Sequence, residues 1–109
     1  MEILDYVTTG GKNVITEYLD KLPKKEKAEY YRLRKFIENG GVSALFALNT
    51  RQLKGKLWEI KFSQNRIMYV VKAENYIYFL HACQKQKNKA EKFELKTAIK
   101  RAKEYGLRI

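Results

Sequence analysis

Three cations, Lys61, Arg66 and Lys85, have the clearest capacity for chemistry in this chain, and Glu59 stands two residues before Lys61. Arginine keeps its charge and can hold a phosphate through two parallel N–H groups. Lysine supplies charge, or acts as acid or base where neighbouring cations weaken its hold on a proton. Glu59, on the same strand face as Lys61, could accept one. Such a set suits metal-free cleavage of RNA, which carries its own nucleophile in the 2′-hydroxyl beside the scissile phosphate. A protein then has to hold the phosphate in line, help remove a proton, stabilise the added charge and protonate the leaving 5′-oxygen. Glu59, Lys61, Arg66 and Lys85 are the candidate catalytic residues. The same residues also read as ordinary exposed strand side chains, with Glu paired to Lys and Arg across a sheet, and spacing alone leaves both readings open.

Other chemistries fit poorly. The chain has one histidine, one cysteine and no acidic cluster at ligand spacing, so neither a metal nor a cofactor is expected. His81 lies in an apolar strand and reads first as a half-buried, hydrogen-bonded residue rather than a catalyst. Cys83 has no second histidine as a partner. Gly10-Gly11 and Gly40-Gly41 are isolated doublets without phosphate-loop spacing. Trp58, Tyr69, Tyr76, Tyr78 and Phe79 could stack on bases, but most should be core instead, since they lie on strands with helices to cover them.

Charge points to the partner. Lys and Arg number 23 against 12 acids, a net charge of +11. Residues 51–66 carry Arg51, Lys54, Lys56, Lys61 and Arg66 against Glu59 alone, and residues 84–109 carry nine Lys and Arg against three Glu. A field concentrated in the second half favours a nucleic acid or an acidic protein partner; the alternative is a solvated lysine-rich surface. The length of 109 residues suits one domain over residues 1–109, and 45% apolar residues suffice for a core. Without an 18-residue apolar run or a signal-peptide pattern, the expectation is a cytoplasmic protein with no membrane partner. The single cysteine fits a reducing compartment.

The elements that must position these residues follow from periodicity. Residues 2–7 read as a short strand. Val14, Ile15, Tyr18, Leu19 and Leu22 form one helical stripe, with Asn13 as a candidate cap. Pro23 separates that helix from an amphipathic one over residues 24–39, stopped by Gly40 and Gly41. Residues 42–53 are ambiguous between a helical turn and an extended segment. LWEIKF (57–62), RIMYVV (66–71) and YIYFLHA (76–82) read as three strands joined near Gln64-Asn65 and Glu74-Asn75. A turn at Gln64-Asn65 would pair Ser63 with Arg66 and put Lys61 on the same face; a one-residue change in loop length would reverse this. Residues 90–105 form a last helix. The predicted order is β-α-α-β-β-β-α, an α+β fold with the helices on one sheet face and the cations projecting from the other.

LKGKLWEIKF (53–62), RIMYVV (66–71) and FLHACQKQKNKAE (79–91) together resemble the RelE/ParE toxin superfamily, and within it the HigB-type, phage-derived branch. The resemblance implies a RelE-like fold, with a twisted antiparallel sheet packed against an N-terminal helical hairpin and a C-terminal helix. It implies a type II toxin that inhibits translation by cleaving mRNA on the ribosome without metal. Arg66 then matches the phosphate-contacting arginine, Lys61 the basic position of the LWE strand, Glu59 its acidic position, and Lys85 and Lys89 the lysines after the Leu-His pair. Lys54, Lys56, Lys87 and Lys89 are the expected RNA-binding residues. Implied partners are mRNA, the ribosome and a cognate antitoxin with a helix-turn-helix DNA-binding part. Cys83 stands where the family commonly has an aromatic, Gln86 where it has a lysine, and Ala90-Glu91 in place of a Thr-Pro-like pair. The same fold also hosts ParE-like gyrase inhibitors, so a gyrase-directed toxin or an inactive RNA-binding relative is the alternative.

Overall fold

The computed structural model describes residues 1–85 and 89–109, with residues 89 and 90 described only by their backbone. The chain runs β1 (Glu2–Asp5), α1 (Val14–Asp20), α2 (Lys24–Gly40), α3 (Val42–Phe46), β2 (Thr50–Lys54), β3 (Leu57–Phe62), β4 (Asn65–Lys72), β5 (Tyr76–Gln84) and α4 (Lys89–Glu104). It is an α+β arrangement, compatible with a RelE-like fold, whose element order differs from expectation in the ambiguous stretch 42–53. That stretch supplies both α3 and β2.

Local signals explain most of the boundaries. The Asn13 side chain caps α1, its Oδ1 accepting from the Ile15 and Thr16 backbone N–H groups at 3.0 Å each. Pro23 precedes the first turn of α2, and Gly41, at φ 65°, turns the chain out of it. β2 escaped the strand pattern because TRQLK holds one apolar residue; its pairing with β3, not its composition, makes it a strand. Gly55, at φ 55°, turns β2 into β3, and a Cβ there would lie 2.6 Å from the Ile109 carbonyl carbon.

The five strands form one mixed sheet in the order β1-β5-β4-β3-β2. β1 pairs parallel with β5, Ile3 opposite Ile77, while all other neighbours are antiparallel. The β3–β4 turn is made by Ser63-Gln64 rather than Gln64-Asn65, so Lys61 faces Arg66 directly. This is a shift of two positions in pairing, and a strand's side chains alternate with period two. Lys61 and Arg66 therefore still share a face.

Helices cover both sides of the sheet. On one side Ile15, Leu19, Tyr30, Leu33 and Ile37 pack against Ile60, Phe62, Ile67, Tyr69, Ile77 and Phe79. On the other, Ala98 and Ala102 of α4 pack against Leu57, Met68, Val70 and Leu80. This corrects the expected open face. The unbroken apolar run of β4 from Ile67 to Val71, buried as far as Val70, is the signature of a strand covered on both sides. Arg34 of α2 ties the first layer to β1, donating to Asp5 Oδ1 at 2.9 Å and to the Tyr30 hydroxyl at 2.8 Å.

Ile60 has no exposed surface at the centre of the first core. Ile60→Ala should lower the unfolding free energy by about 2–5 kcal/mol, read as a reduced urea midpoint with an unchanged slope.

Candidate functional site

The β3–β4 hairpin end and the end of β5 enclose a polar cavity of about 220 Å³, into which Lys61, Arg66 and Lys85 all contribute, with Asn49, Ser63 and Gln64. Cross-strand pairing brings the first two cations together, since Lys61 lies opposite Arg66. Lys85 is placed by its own backbone N–H, which donates to the Gln64 carbonyl at 2.7 Å. Helices α1 and α2 brace the turn. Tyr18 donates to Asn65 Oδ1 at 2.6 Å, Asn65 donates to Glu26 Oε1 at 2.6 Å, and the Ser63 hydroxyl donates to Glu29 Oε1 at 2.7 Å. Acidic side chains of an otherwise basic chain thus hold the hairpin from outside the cavity.

Behind Arg66 lies a network of four charges. Arg66 Nη1 donates to Glu91 Oε1 at 2.8 Å, and its Nε is 3.4 Å from Glu59 Oε2. Arg51 Nη2 is 2.7 Å from Glu59 Oε1 and donates to Glu91 Oε1 at 2.8 Å. Glu59 has no exposed surface and Arg66 has 4%. The contacts to Glu59 are close but misaligned: both its oxygens and Arg66 Nε lack a well-directed hydrogen bond. Charge attraction, not hydrogen bonding, holds that pair. The Arg66 and Arg51 guanidiniums keep the Glu91 carboxyl below the usual carboxylate range.

The structure therefore brings Lys61, Arg66 and Lys85 to one cavity and sets Glu59 beneath it. Glu59, the expected base, has no exposed surface and lies between Arg51 and Arg66. Lys54, the last residue of β2, and Lys56, in the turn before β3, are exposed at the opposite end of β3 from Lys61. Lys87, and the side chain of Lys89, lie outside the described residues. Sequence reasoning missed Glu91 as a partner of Arg66 and Arg51 as the second arginine on Glu59 and Glu91. Arg51 becomes visible only once β2 is known to pair with β3, which places it opposite Glu59.

A family model described as Phage derived protein Gp49-like (DUF891) matches residues 17–103. This chain belongs to the Gp49-like family. The family is phage-derived and toxin-like, and lies within the RelE/ParE-like toxin superfamily. The matched stretch includes Lys61, Arg66 and Lys85, and also the bracing residues Tyr18, Glu26 and Glu29. No curated protein matches the chain.

A second polar cluster of this Gp49-like protein ties α4 to β5. Arg101 Nη1 donates to His81 Nδ1 at 2.9 Å and to the Leu80 carbonyl at 3.0 Å, and His81 Nε2 bonds Glu94. Arginine only donates, so Nδ1 is the acceptor and the ring proton sits on Nε2. Burial pushes the histidine's proton affinity down, and the ring stays neutral. Its expected role as a half-buried, partnered residue matches this geometry. His81, Cys83 and Glu94 place ligand-type atoms within 4.8 Å of one another. A metal on Nε2 would move the proton to Nδ1, straight against the Arg101 donor. Burial also raises the Cys83 thiol to about 12, which keeps it protonated. The hydrogen-bond arrangement opposes coordination.

Two measurements check this cluster. Cys83 should resist iodoacetamide in the native protein and react fully only in denaturant. For His81, the unfolded chain gains its proton first as pH falls, because the folded ring's affinity is depressed. The histidine's contribution is full above about pH 6.5 and shrinks below it. The stability advantage of wild type over His81→Gln, from urea unfolding, should therefore be smaller at about pH 5 than at about pH 7.5.

Proposed function

We propose that this protein is the toxin of a type II toxin–antitoxin pair, of the HigB-type branch, and a metal-independent endoribonuclease that cleaves mRNA on the ribosome. The observation that carries this reading is the convergence of Lys61, Arg66 and Lys85 on one polar cavity. Membership in a toxin-like family supports the toxin role.

The RNA 2′-hydroxyl attacks the adjacent phosphate: its oxygen forms the new P–O bond as its proton passes to solvent water, and the bond to the 5′-oxygen breaks. Arg66, oriented from behind by Glu59, grips the scissile phosphate and neutralises the charge that builds on it. Lys61, directly across the strand pair, adds a second cation on the same oxygens. Lys85, on the far wall of the cavity, faces the leaving 5′-oxygen and supplies its proton. A braced hairpin keeps these groups fixed as the phosphate changes geometry, which is how positioned cations lower a barrier. Lys54, Lys56, Lys87 and Lys89 contribute sequence-independent attraction for the backbone. The protein works as a single domain in the cytoplasm. Its partner is an antitoxin with an acidic or amphipathic segment complementary to the basic face, joined to a helix-turn-helix DNA-binding part.

Translation of a reporter mRNA with the purified protein, followed by primer extension, tests the reaction. Discrete cuts in the message are expected. Arg66→Ala should lower the cleavage rate about 10²–10³-fold, with the far-ultraviolet circular dichroism unchanged. Intact message while translation stops would sink the nuclease reading, and inhibition of gyrase supercoiling would put the ParE-like alternative in its place.

A further inference from the structure

One oxygen, Glu91 Oε1, accepts from two arginines, Arg51 Nη2 and Arg66 Nη1, each at 2.8 Å. The two anions serving these arginines differ in kind. Glu59 is wholly buried and is a fixed part of the interior, whereas the Glu91 side chain is 35% exposed, in the first turn of α4. Glu91 is therefore the replaceable anion. A phosphodiester has one negative charge and two non-bridging oxygens. It can take over the charge balance of a single carboxylate while accepting from both guanidiniums.

The surroundings favour a nucleotide over a free anion. Arg51 and Glu91 border a groove of about 480 Å³ whose floor is Leu53, Met68 and Leu95. An apolar floor beside an arginine pair suits a base laid flat with its phosphate at the rim. Arg66 also lines the hairpin cavity with Lys61 and Lys85. The arginine pair thus lies between the two depressions, in line with a strand that spans both.

We infer that Arg51 and Arg66 form a second phosphodiester seat on a single-stranded RNA path, and that the Glu91 carboxylate occupies this seat in the free protein as a built-in competitor. This extends the RNA path of the proposed function and rests on that reading for its ligand. Substrate entry displaces Glu91, while Glu59 stays and holds the pair together. Arg51 is a backbone-binding residue in this scheme, and Glu91 a regulatory one.

A 2′-O-methylated, fluorescein-labelled single-stranded RNA hexamer, which offers no 2′-hydroxyl for cleavage, separates binding from cutting. By fluorescence anisotropy, Glu91→Gln should tighten binding about tenfold. Glu2→Gln, the same charge change on β1 at the opposite edge of the sheet, should change it by less than about twofold. Adding Arg51→Ala to Glu91→Gln should cancel the gain. Equal effects of Glu91→Gln and Glu2→Gln, or a gain that survives loss of Arg51, would overturn the seat. A second readout uses the unaltered protein. The Glu91 carboxyl, followed by carbon NMR, should titrate at higher pH once the RNA is bound, because its arginines have been taken; an unmoved titration would also overturn the proposal. Uncut mRNA in the translation assay with these binding results intact would remove the nuclease reading and leave the seat standing.

Discussion

Everything about the candidate site depends on α4 lying across the second face of the sheet. Ala98 and Ala102, both fully buried, keep that helix slim enough to approach Leu57, Met68, Val70 and Leu80. Apolar burial supplies the drive, at about 25 cal/mol per Å². The same contact fixes where the charges go. It seals Glu59 away from water, carries Glu91 to Arg66, and sets Glu94 and Arg101 on either side of the His81 ring. A sheet bare on that side would leave Arg66 waving in solvent; the covered sheet holds it by its neighbours.

Burying charge is costly unless it is paired, and paired charge inside a protein is weak support for stability. The network of Arg51, Glu59, Arg66 and Glu91 is better understood as a device for orientation. Glu59 makes no well-directed hydrogen bond, yet it lies close to both arginines. Its charge aligns two guanidiniums whose mutual repulsion would otherwise drive them apart. In a chain with a net charge of +11, a single buried acid at this position has a large local effect. The hairpin follows the same logic, with Glu26 and Glu29 of α2 holding Asn65 and Ser63. Acids hold the buried Arg66, the half-exposed Arg51 and the polar residues of the turn in place.

Much of this was legible beforehand. The alternation in LWEIKF gave β3 its bounds, and Asn13, Pro23 and Gly41 marked helix ends through local backbone chemistry. Other features were hidden for identifiable reasons. β2 carries one apolar residue, so no period betrays it; its partner strand creates it. The β3–β4 turn contains no glycine, and Ser63 takes φ 51° without announcing it in its type, so the register moved by two positions. The apolar runs of β4 and β5 did contain a sign of double coverage, which a one-sided layering overlooked.

Residue order alone determined which side chains alternate and which stripes are apolar, because these follow from the strand and helix periods; the face shared by Lys61 and Arg66 hung on the length of one turn. Only the tertiary structure decided that Lys61, Arg66 and Lys85 converge, that Glu59 lies underneath, and that Arg51 and Arg66 meet on Glu91. Those meetings link residues 25 and 40 positions apart. They come from packing a helix across an open five-stranded sheet, a long-range event that no local pattern encodes.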